Sequence, residues 1–460
     1  MDSRREFLRR TVAATLTGWG LPWIFAEPEL RAEVRRASVS KHFLVDRVRR
    51  VTMKIPFRTI PQRAMQRELP HWNYAELLEL TLNSGHIGYG DRLIYYAWGQ
   101  SDEASVKRAV GANAVRLMWD DTLGPPLQVA LFDAVSRALE VPIHRLLGRK
   151  VRDRTPLSWW NIEMTPADMA AECLKAYRSG YLSYKTKGRP WFDVQAQAEA
   201  AAKVVPETFK INMDFNGTLL DAKRGIPILK QLDRIPQIEM YESPINQEDI
   251  PGNKAIRAAA RGLVAMHYGG PAPKVAVREG VCDGWVIGGG GASQIIKMGN
   301  FAGEVAMPFF LQQVGTGITA AFSLHCGGVL DHARWGAVNC HQLFQHSLLS
   351  EPIVVEEGFA KIPDKPGLGY EIDRDKVEQY RAQKPQSLPD PPRLVEISWP
   401  NGKKMLLGND GSVPFLTLLA LREAIPYYKR GAMTRLVAND GSERWRELYE
   451  RARKKPFIVK

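Results

Sequence analysis

Cysteine is scarce in this 460-residue chain, and long apolar runs are missing from it. The four cysteines, Cys173, Cys282, Cys326 and Cys340, stand far apart, without a CxxC pair or the spacing of a zinc finger. This pattern argues against a disulfide scaffold and against a structural zinc site. Beyond the N-terminal region, no segment approaches the ~20 apolar residues that a membrane span needs. We therefore expect a globular protein without a membrane-spanning helix.

Charges of both signs are present, and the positive sign dominates. Hydrophobic residues make up 45% and charged residues 25% of the chain, as in globular proteins, and the length predicts two or three domains. The formal net charge of +13 favours anionic partners, among them acid sugars, sulfated or carboxylated glycans, phospholipid and nucleic acid. No recognisable nucleic-acid-binding motif is present, so we predict no nucleic-acid partner.

The N-terminus has the features of an export signal. The run Ser3-Arg4-Arg5-Glu6-Phe7-Leu8-Arg9 precedes an uncharged stretch from Thr11 to Ala26. A twin-arginine pair ahead of a modest apolar segment is typical of the twin-arginine pathway. We predict a signal peptide over residues 1–26, a periplasmic or otherwise exported protein, and no membrane span after signal removal. An uncleaved anchor is the alternative, because Ile24-Phe25-Ala26 is a poor cleavage site.

Short β-rich runs alternate with helical runs in the middle of the chain. The candidate strands are Leu157–Ile162, Leu182–Lys187, Phe209–Asp214, Ile238–Glu242, Leu263–His267, Trp285–Gly288, Met307–Phe310 and Gly336–Asn339. Repeated strand–helix units predict parallel strands, and about eight of them predict a closed (β/α)₈ TIM-type barrel of the α/β class. A doubly wound open sheet is the alternative.

Three units follow the predicted signal. Residues 41–147 mix strands and helices and are predicted to form an α+β capping domain, with one helix from Val129 to Leu147. Residues 148–382 contain the predicted barrel. A proline-rich linker then leads to a small basic C-terminal extension over 393–460, with a predicted hairpin at Asn401-Gly402 and a helix over Glu443–Lys455. A solvated basic appendage is the simplest interpretation of this extension.

Polar residues stand at the ends of three predicted barrel strands, where barrels carry their catalytic groups. Lys185 and Lys187 share one face of the second strand, because alternate side chains point the same way. Two adjacent ammonium groups disfavour each other's charged form, which is how a lysine becomes a general base near neutral pH. A pair of solvated surface lysines is the alternative.

Two carboxylates follow on the next strands. Asp214, in the run with Asn216, ends the third strand, and Glu242 ends the fourth before a proline. Asp and Glu at the ends of adjacent parallel strands can bind Mg²⁺, which prefers oxygen ligands. Taken singly, each carboxylate is more often a salt-bridge partner.

In this order, the segments resemble the mandelate racemase and muconate lactonising branch of the enolase superfamily. The resemblance rests on Lys185-x-Lys187, Asp214-Phe-Asn216 and Glu242-Ser-Pro244, with flanking motifs at Pro142–Gly148 and Pro366–Gly369. It implies that a metal-bound substrate carboxylate loses its α-proton to a base while the ion stabilises the enediolate charge. Lys187 would be that base, Lys185 its carboxylate-binding neighbour, and Asp214 and Glu242 two Mg²⁺ ligands.

The sequence departs from the family pattern at two candidate site positions. Tyr268, preceded by His267, falls where the resemblance implies a third acidic ligand, and Gln312 falls where the racemase branch has a histidine. His267 could bind a softer ion such as Zn²⁺, Mn²⁺ or Fe²⁺. Otherwise His267, like Tyr268, Gln312 and Asn216, is predicted to line the substrate site.

These departures leave two functional hypotheses. The first is a metal-assisted lyase or isomerase that acts on a small carboxylate, a sugar acid, by one-base dehydration rather than by racemisation. The second is a catalytically degenerate family member that binds a carboxylate ligand without turnover. The resemblance places substrate specificity in two capping-domain loops, residues 55–72 and 95–102, and leaves a homo-oligomer open.

Overall fold

The computed structural model describes residues 41–96 and 100–459, and the first described unit packs helices on a small sheet. Its three-stranded antiparallel sheet has the order β1-β2-β3, with β1 (Val45–Lys54), β2 (Tyr74–Leu82) and β3 (Ile87–Leu93). Its helices are α1 (Thr59–Glu68), α2 (Glu103–Ala109), α3 (Ala114–Leu117), α4 (Pro125–Ala138) and α5 (His144–Leu147), with 3₁₀ turns at Pro70–Asn73 and Asp121–Leu123. The unit matches the predicted capping domain.

Helix α4 lies directly on strand β3. A Cβ on Gly88 would come within 2.1 Å of the Ala130 carbonyl oxygen, so only glycine permits this approach. The sequence predicted one helix over Val129–Leu147, but α4 begins earlier, at Pro125, and the prediction of one continuous helix is wrong. The chain leaves the helix after Ala138 and starts α5 at His144. Pro142 lies in the gap and has no backbone N–H to continue the helix.

Eight parallel strands form the central barrel. They are β4 (Arg154–Trp160), β5 (Ser183–Lys187), β6 (Lys210–Asp214), β7 (Ile238–Glu242), β8 (Leu263–His267), β9 (Gly284–Gly288), β10 (Phe309–Gln312) and β11 (Ala337–Val338). The last strand pairs with the first through Ala337↔Leu157 and Val338↔Ser158, which closes the sheet. The predicted (β/α)₈ barrel is therefore confirmed, and the open-sheet alternative is wrong.

Helices surround the barrel on its outer side, as the alternation of the sequence predicts. They are α6 (Pro166–Arg178), α7 (Val194–Ala202), α8 (Ala222–Leu232), α9 (Ile250–Ala259), α10 (Pro273–Glu279), α11 (Ala292–Glu304) and α12 (Gly317–Val329). A 3₁₀ turn at His341–Leu343, the short antiparallel pair β12 (Val355–Glu356) and β13 (Phe359–Lys361), and α13 (Arg374–Gln379) follow. Strand β13 pairs antiparallel with β4.

The extension is a separate antiparallel sheet with two helices. Its strands are β14 (Leu394–Ser398), β15 (Lys404–Gly408), β16 (Met433–Val437) and β17 (Phe457–Val459), in the order β16-β14-β15-β17, and its helices are α14 (Phe415–Leu421) and α15 (Glu443–Lys454). The predicted hairpin at Asn401-Gly402 is present, and Gly402 turns it with a φ of +79°.

The extension shares a hydrophobic core with the barrel. Trp191 and Phe192, from the loop between β5 and α7, are fully buried in one cluster with extension residues such as Val395 and Phe415. The interpretation of the extension as a solvated basic appendage is therefore wrong, because its apolar face is covered by the barrel.

No helix in the described ranges is both long and apolar enough to cross a membrane. The predicted signal, residues 1–26, lies outside the described residues. Export by the twin-arginine route therefore stays a prediction.

Candidate functional site

Strand register brings the predicted site residues to one end of the barrel. Lys187 is aligned with Asp214 across β5 and β6, and Asp214 is aligned with Glu242 across β6 and β7. All three residues end their strands, at the edge where βα loops of this fold build a site. The order that the sequence predicted is therefore the spatial order.

Lys187 and Asp214 form an ion pair. Lys187 Nζ donates to Asp214 Oδ2 and, at 3.1 Å, to Asn216 Oδ1. The Asn216 backbone N–H donates to Asp214 Oδ1 at 2.8 Å. Burial acts to raise the pKa of Asp214, but the charges of Lys187, Lys185 and Arg189 outweigh it and hold that pKa well below its ordinary range. Asp214 is therefore a carboxylate whose two oxygens are both engaged.

Lys185 lies deeper and contacts the other carboxylate. Its Nζ lies 2.5 Å from Glu242 Oε2, donates to Gln312 Oε1 at 2.7 Å, and lies 4.8 Å from the centre of the Phe310 ring. The side chains of Lys185 and Lys187 are only 2% and 17% exposed. The alternative of two solvated surface lysines is therefore wrong.

The fifth barrel strand contributes a histidine. His267 Nε2 lies 3.2 Å from Glu242 Oε1, and the His267 backbone N–H donates to Gln247 Oε1 at 2.7 Å. The Tyr268 ring instead packs edge-on against Trp285, with ring centres 5.3 Å apart. Of the two residues that the sequence offered at the third-ligand position, His267 is the one that contacts Glu242.

Gln312 connects Lys185 to the capping unit. It accepts from Lys185, and its Nε2 donates to the Tyr96 hydroxyl at 3.3 Å. Burial raises the pKa of Tyr96 above its ordinary value, so this phenol stays protonated. Gln312 does not titrate, so the position that a histidine would hold in the racemase branch carries no second base here.

Arg189 is a site residue that the sequence analysis missed. Its Nη1 donates to the Phe215 carbonyl at 2.8 Å, its Nη2 donates to Asn216 Oδ1, and its side chain is only 4% exposed. Its Nε lies 4.0 Å from Glu163 Oε2 and makes no hydrogen bond to a described residue. Arg189 follows Lys187 at the same two-residue spacing that separates Lys185 from Lys187. This spacing is the sequence signal that could have identified Arg189 as a site residue.

These side chains line a cavity of about 900 Å³ at the barrel mouth. The cavity has walls from the capping unit, the barrel and the extension, represented by Trp72, Lys187 and Leu421. Asn216, His267, Tyr268 and Gln312, the four predicted lining residues, all face it.

The arrangement does not fit a Mg²⁺ site. Among the described residues, no group of three or more His, Cys, Asp or Glu side chains is placed to hold a metal ion. Both candidate carboxylates, Asp214 and Glu242, already contact an ammonium group. A divalent cation would have to displace two lysines and would find no third carboxylate on β8, where the strand ends in His267.

Residues 168–376 match a family model described as "Enolase C-terminal domain-like". This region of the chain belongs to the enolase superfamily. That model and the relatives support membership in the mandelate racemase and muconate lactonising branch, which confirms the resemblance. The match ends at residue 376, before β14, the first strand of the C-terminal extension.

Curated relatives of this superfamily member are distant enzymes. Arabinonate dehydratase of Saccharolobus solfataricus is 22% identical over 343 residues, which cover 66% of this chain and 90% of the relative. Chloromuconate cycloisomerase of Cupriavidus pinatubonensis is 25% identical over 268 residues, or 55% of this chain and 71% of the relative. By their names, these relatives include a lyase and an isomerase.

Solved structures show the same fold. Muconate cycloisomerase of Pseudomonas fluorescens superposes with a TM-score of 0.60 at 18% identity, over 74% of this chain and 99% of that one. N-succinyl Arg/Lys racemase of Bacillus cereus gives a TM-score of 0.60 at 17% identity, over 74% and 98%. At this level of identity the likeness supports the fold alone.

Proposed function

We propose that the chain binds a small carboxylate in the barrel cavity without metal-assisted turnover. The observation that carries this proposal is the pairing of Asp214 and Glu242 with Lys187 and Lys185. Among the described residues, the two carboxylates expected to bind Mg²⁺ are each paired with an ammonium group, which neutralises their charge. A site with this charge pattern favours an anion over a divalent cation.

Lys187 and Arg189 are the proposed anchors for the ligand carboxylate. An ammonium has three N–H donors, and Asp214 and Asn216 take two from Lys187. The third is available to a ligand in the cavity, since the Lys187 side chain is 17% exposed and lines it. The Arg189 guanidinium, which lines the same cavity, adds a second positive charge. The names of the relatives, an arabinonate and a chloromuconate enzyme, support a carboxylate.

The second candidate is the family's lyase or isomerase chemistry with Lys187 as the single base. Two observations favour it: Lys187 lines the cavity, and neither oxygen of Glu242 accepts a well-aligned hydrogen bond from the described residues. The ion pair with Asp214 would have to open before the Lys187 amine could accept a proton. This requirement is why binding without turnover is the first proposal.

Calorimetric titration in EDTA tests the binding proposal. Hexanoate and gluconate are suitable probes, since both are six-carbon monocarboxylates. We expect at least one to bind the wild type, and Lys187→Met to weaken it by about tenfold or more, because a hydrogen bond to a charged group is lost. The matched control, Lys203→Met, removes an exposed lysine and should bind like the wild type.

Two results would overturn this proposal in favour of the second candidate. One is saturable Mg²⁺ or Mn²⁺ binding that disappears in Asp214→Asn. The other is exchange of the α-proton of a bound carboxylate into D₂O that disappears in Lys187→Met. Absence of binding by both carboxylates would reject the proposal without supporting the alternative.

A further inference from the structure

The extension supplies one wall of the cavity. Val413, Pro414, Thr417 and Leu421 line it together with the capping unit and the strand ends. Pro414 precedes α14 as its N-cap residue, and the spacing 414, 417 and 421 places these three residues on the same side of the helix. The family match ends at residue 376, so the barrel and capping folds do not account for this wall.

The extension also holds the loop that follows Lys187. The Tyr428 hydroxyl donates to the Gly188 carbonyl at 2.9 Å and lies 2.8 Å from Thr218 Oγ1. Farther along the loop, the Asp193 carboxylate accepts from the Gly431 backbone N–H at 2.7 Å. The buried Trp191 side chain joins the extension core. These contacts join the extension to the loop, and Trp191 packs in one cluster with Phe415 and Leu416 of α14.

The wall that α14 presents is apolar. Thr417 contributes its single hydroxyl, and Leu421 and Val413 are 43% and 37% exposed. An exposed leucine alone means little. Here, however, Leu421 Cδ2 lies 3.7 Å from the place of a Cβ on Gly217, the residue that follows Asn216. The apolar side chain therefore lines the same cavity as the cationic anchors Lys187 and Arg189.

The capping unit presents a second apolar wall. The Trp72 ring stacks on Trp160 with ring centres 5.5 Å apart, and the Tyr96 ring packs edge-on against Trp72 at 5.0 Å. Leu69, also from the capping unit, lines the same cavity. The cationic groups Lys187 and Arg189 thus share their cavity with aromatic and aliphatic side chains from two other parts of the chain.

We propose that the extension is part of the binding site and selects a carboxylate whose body is apolar rather than polyhydroxylated. This inference rests on the proposed function, since it assigns the ligand class of the same cavity. The cations bind the carboxylate, and α14 with the capping aromatics covers the hydrocarbon part. Burial of apolar ligand surface against Leu421 adds to the binding affinity. A polyhydroxylated ligand would instead bring hydroxyl groups against this apolar wall, where they lose their hydrogen bonds to water.

Calorimetry with hexanoate and gluconate tests the proposal, because the two probes differ in their hydroxyl groups and not in chain length. We expect the wild type to bind hexanoate more tightly than gluconate. Leu421→Ala should weaken hexanoate binding by about three- to tenfold, as expected for lost apolar contact, and leave gluconate binding unchanged. The control Ile458→Ala removes a similarly exposed side chain, 47% against 43%, away from the cavity and should change neither affinity.

The outcomes separate this inference from the proposed function. Gluconate binding as tight as hexanoate binding, or hexanoate binding unchanged in Leu421→Ala, would overturn the inference while carboxylate binding stands. Binding of neither probe would overturn both. Because Leu421 is exposed, its variant should keep the wild-type melting temperature, which verifies that a loss of affinity is local.

Discussion

Lys185 Nζ lies 2.5 Å from Glu242 Oε2, and both side chains are 2% exposed. The contact reaches from β5 to β7 across the intervening strand, inside the barrel. Two charges removed from water cost several kcal/mol each unless they neutralise one another. The two charges therefore stabilise the fold only together. Removal of either one leaves the other buried without its main counter-charge, which lowers the stability of the barrel.

Lys185→Met is expected to destabilise the barrel by about 3–5 kcal/mol, because Glu242 remains buried without its ammonium partner. The measurement is urea unfolding at neutral pH. The double variant Lys185→Met/Glu242→Leu removes both charges and should regain most of the loss. A single variant as stable as the wild type would show that Glu242 finds another partner or stays protonated.

The barrel could be predicted because its signals are local. The predicted bounds of β7 and β8 agree with the structure to the residue, since β7 stands between Pro236 and Pro244 and β8 is a short, mostly apolar run after Gly262. The parity of Lys185 and Lys187 also placed both side chains at the same end of the barrel. The carboxyl ends of the strands in a closed parallel barrel lie at the same end of the barrel, independent of the loop conformations. The position of the candidate site could therefore be predicted once the fold was predicted.

The charge pairing and the extension could not be predicted in the same way. A strand-end aspartate has the same local sequence whether it contacts a metal or Lys187, because its partner is decided by side-chain geometry. Leu421 approaches Gly217 across about two hundred residues of chain, and no periodic pattern reports such a contact. Composition alone suggested a solvated tail, since the basic residues of the extension outnumber its acidic ones.

Asp214→Asn is expected to tighten carboxylate binding. The substitution removes the charge that competes for the Lys187 ammonium, and the asparagine oxygen can still accept from the Asn216 backbone N–H. We expect hexanoate affinity in EDTA to rise by about fivefold, the effect of removing one nearby like charge in a partly solvated site. The measurement is calorimetric titration at constant ionic strength.

The direction of this change separates the two candidate functions. If Asp214 were a metal ligand for the substrate carboxylate, its loss would weaken binding in the presence of Mg²⁺. Glu207→Asn serves as the control, since Glu207 is exposed and outside the cavity. Weaker hexanoate binding by Asp214→Asn in EDTA, with Glu207→Asn unchanged, would contradict the role assigned to Lys187.

Glu68 is expected to make stability depend on pH. Burial, followed by the nearby Glu163 carboxylate, raises the pKa of Glu68 from 4.5 to about 7. Between these values the folded protein holds a proton that the unfolded chain releases, so stability falls as the pH rises from about 4.5 to 7. Glu68→Gln keeps the neutral shape at every pH and should lack this loss.

We therefore expect Glu68→Gln to match the wild type near pH 4.5 and to exceed its stability by about 1–3 kcal/mol at pH 8. Urea unfolding at a series of pH values measures the difference. Glu207→Gln, at an exposed position, should follow the wild type throughout. A constant difference between Glu68→Gln and the wild type from pH 4.5 to 8 would refute the shifted pKa.

Tyr428→Phe tests whether the extension positions the loop beside Lys187. Loss of the hydroxyl leaves the buried Gly188 carbonyl without this donor, which should cost about 1–2 kcal/mol of stability. Because Gly188 adjoins Lys187, hexanoate affinity should also fall. The control is Tyr427→Phe, whose hydroxyl donates to the Leu219 carbonyl at 3.3 Å and not to this loop.

The two tyrosine variants separate positioning from general destabilisation. Tyr427→Phe should lower the melting temperature without a comparable loss of hexanoate affinity, whereas Tyr428→Phe should lower both. Equal losses of affinity in the two variants would mean that the site responds to the stability of the extension as a whole. A loss confined to Tyr428→Phe would mean that the Gly188 contact sets the position of Lys187, which makes the extension a structural part of the anion site.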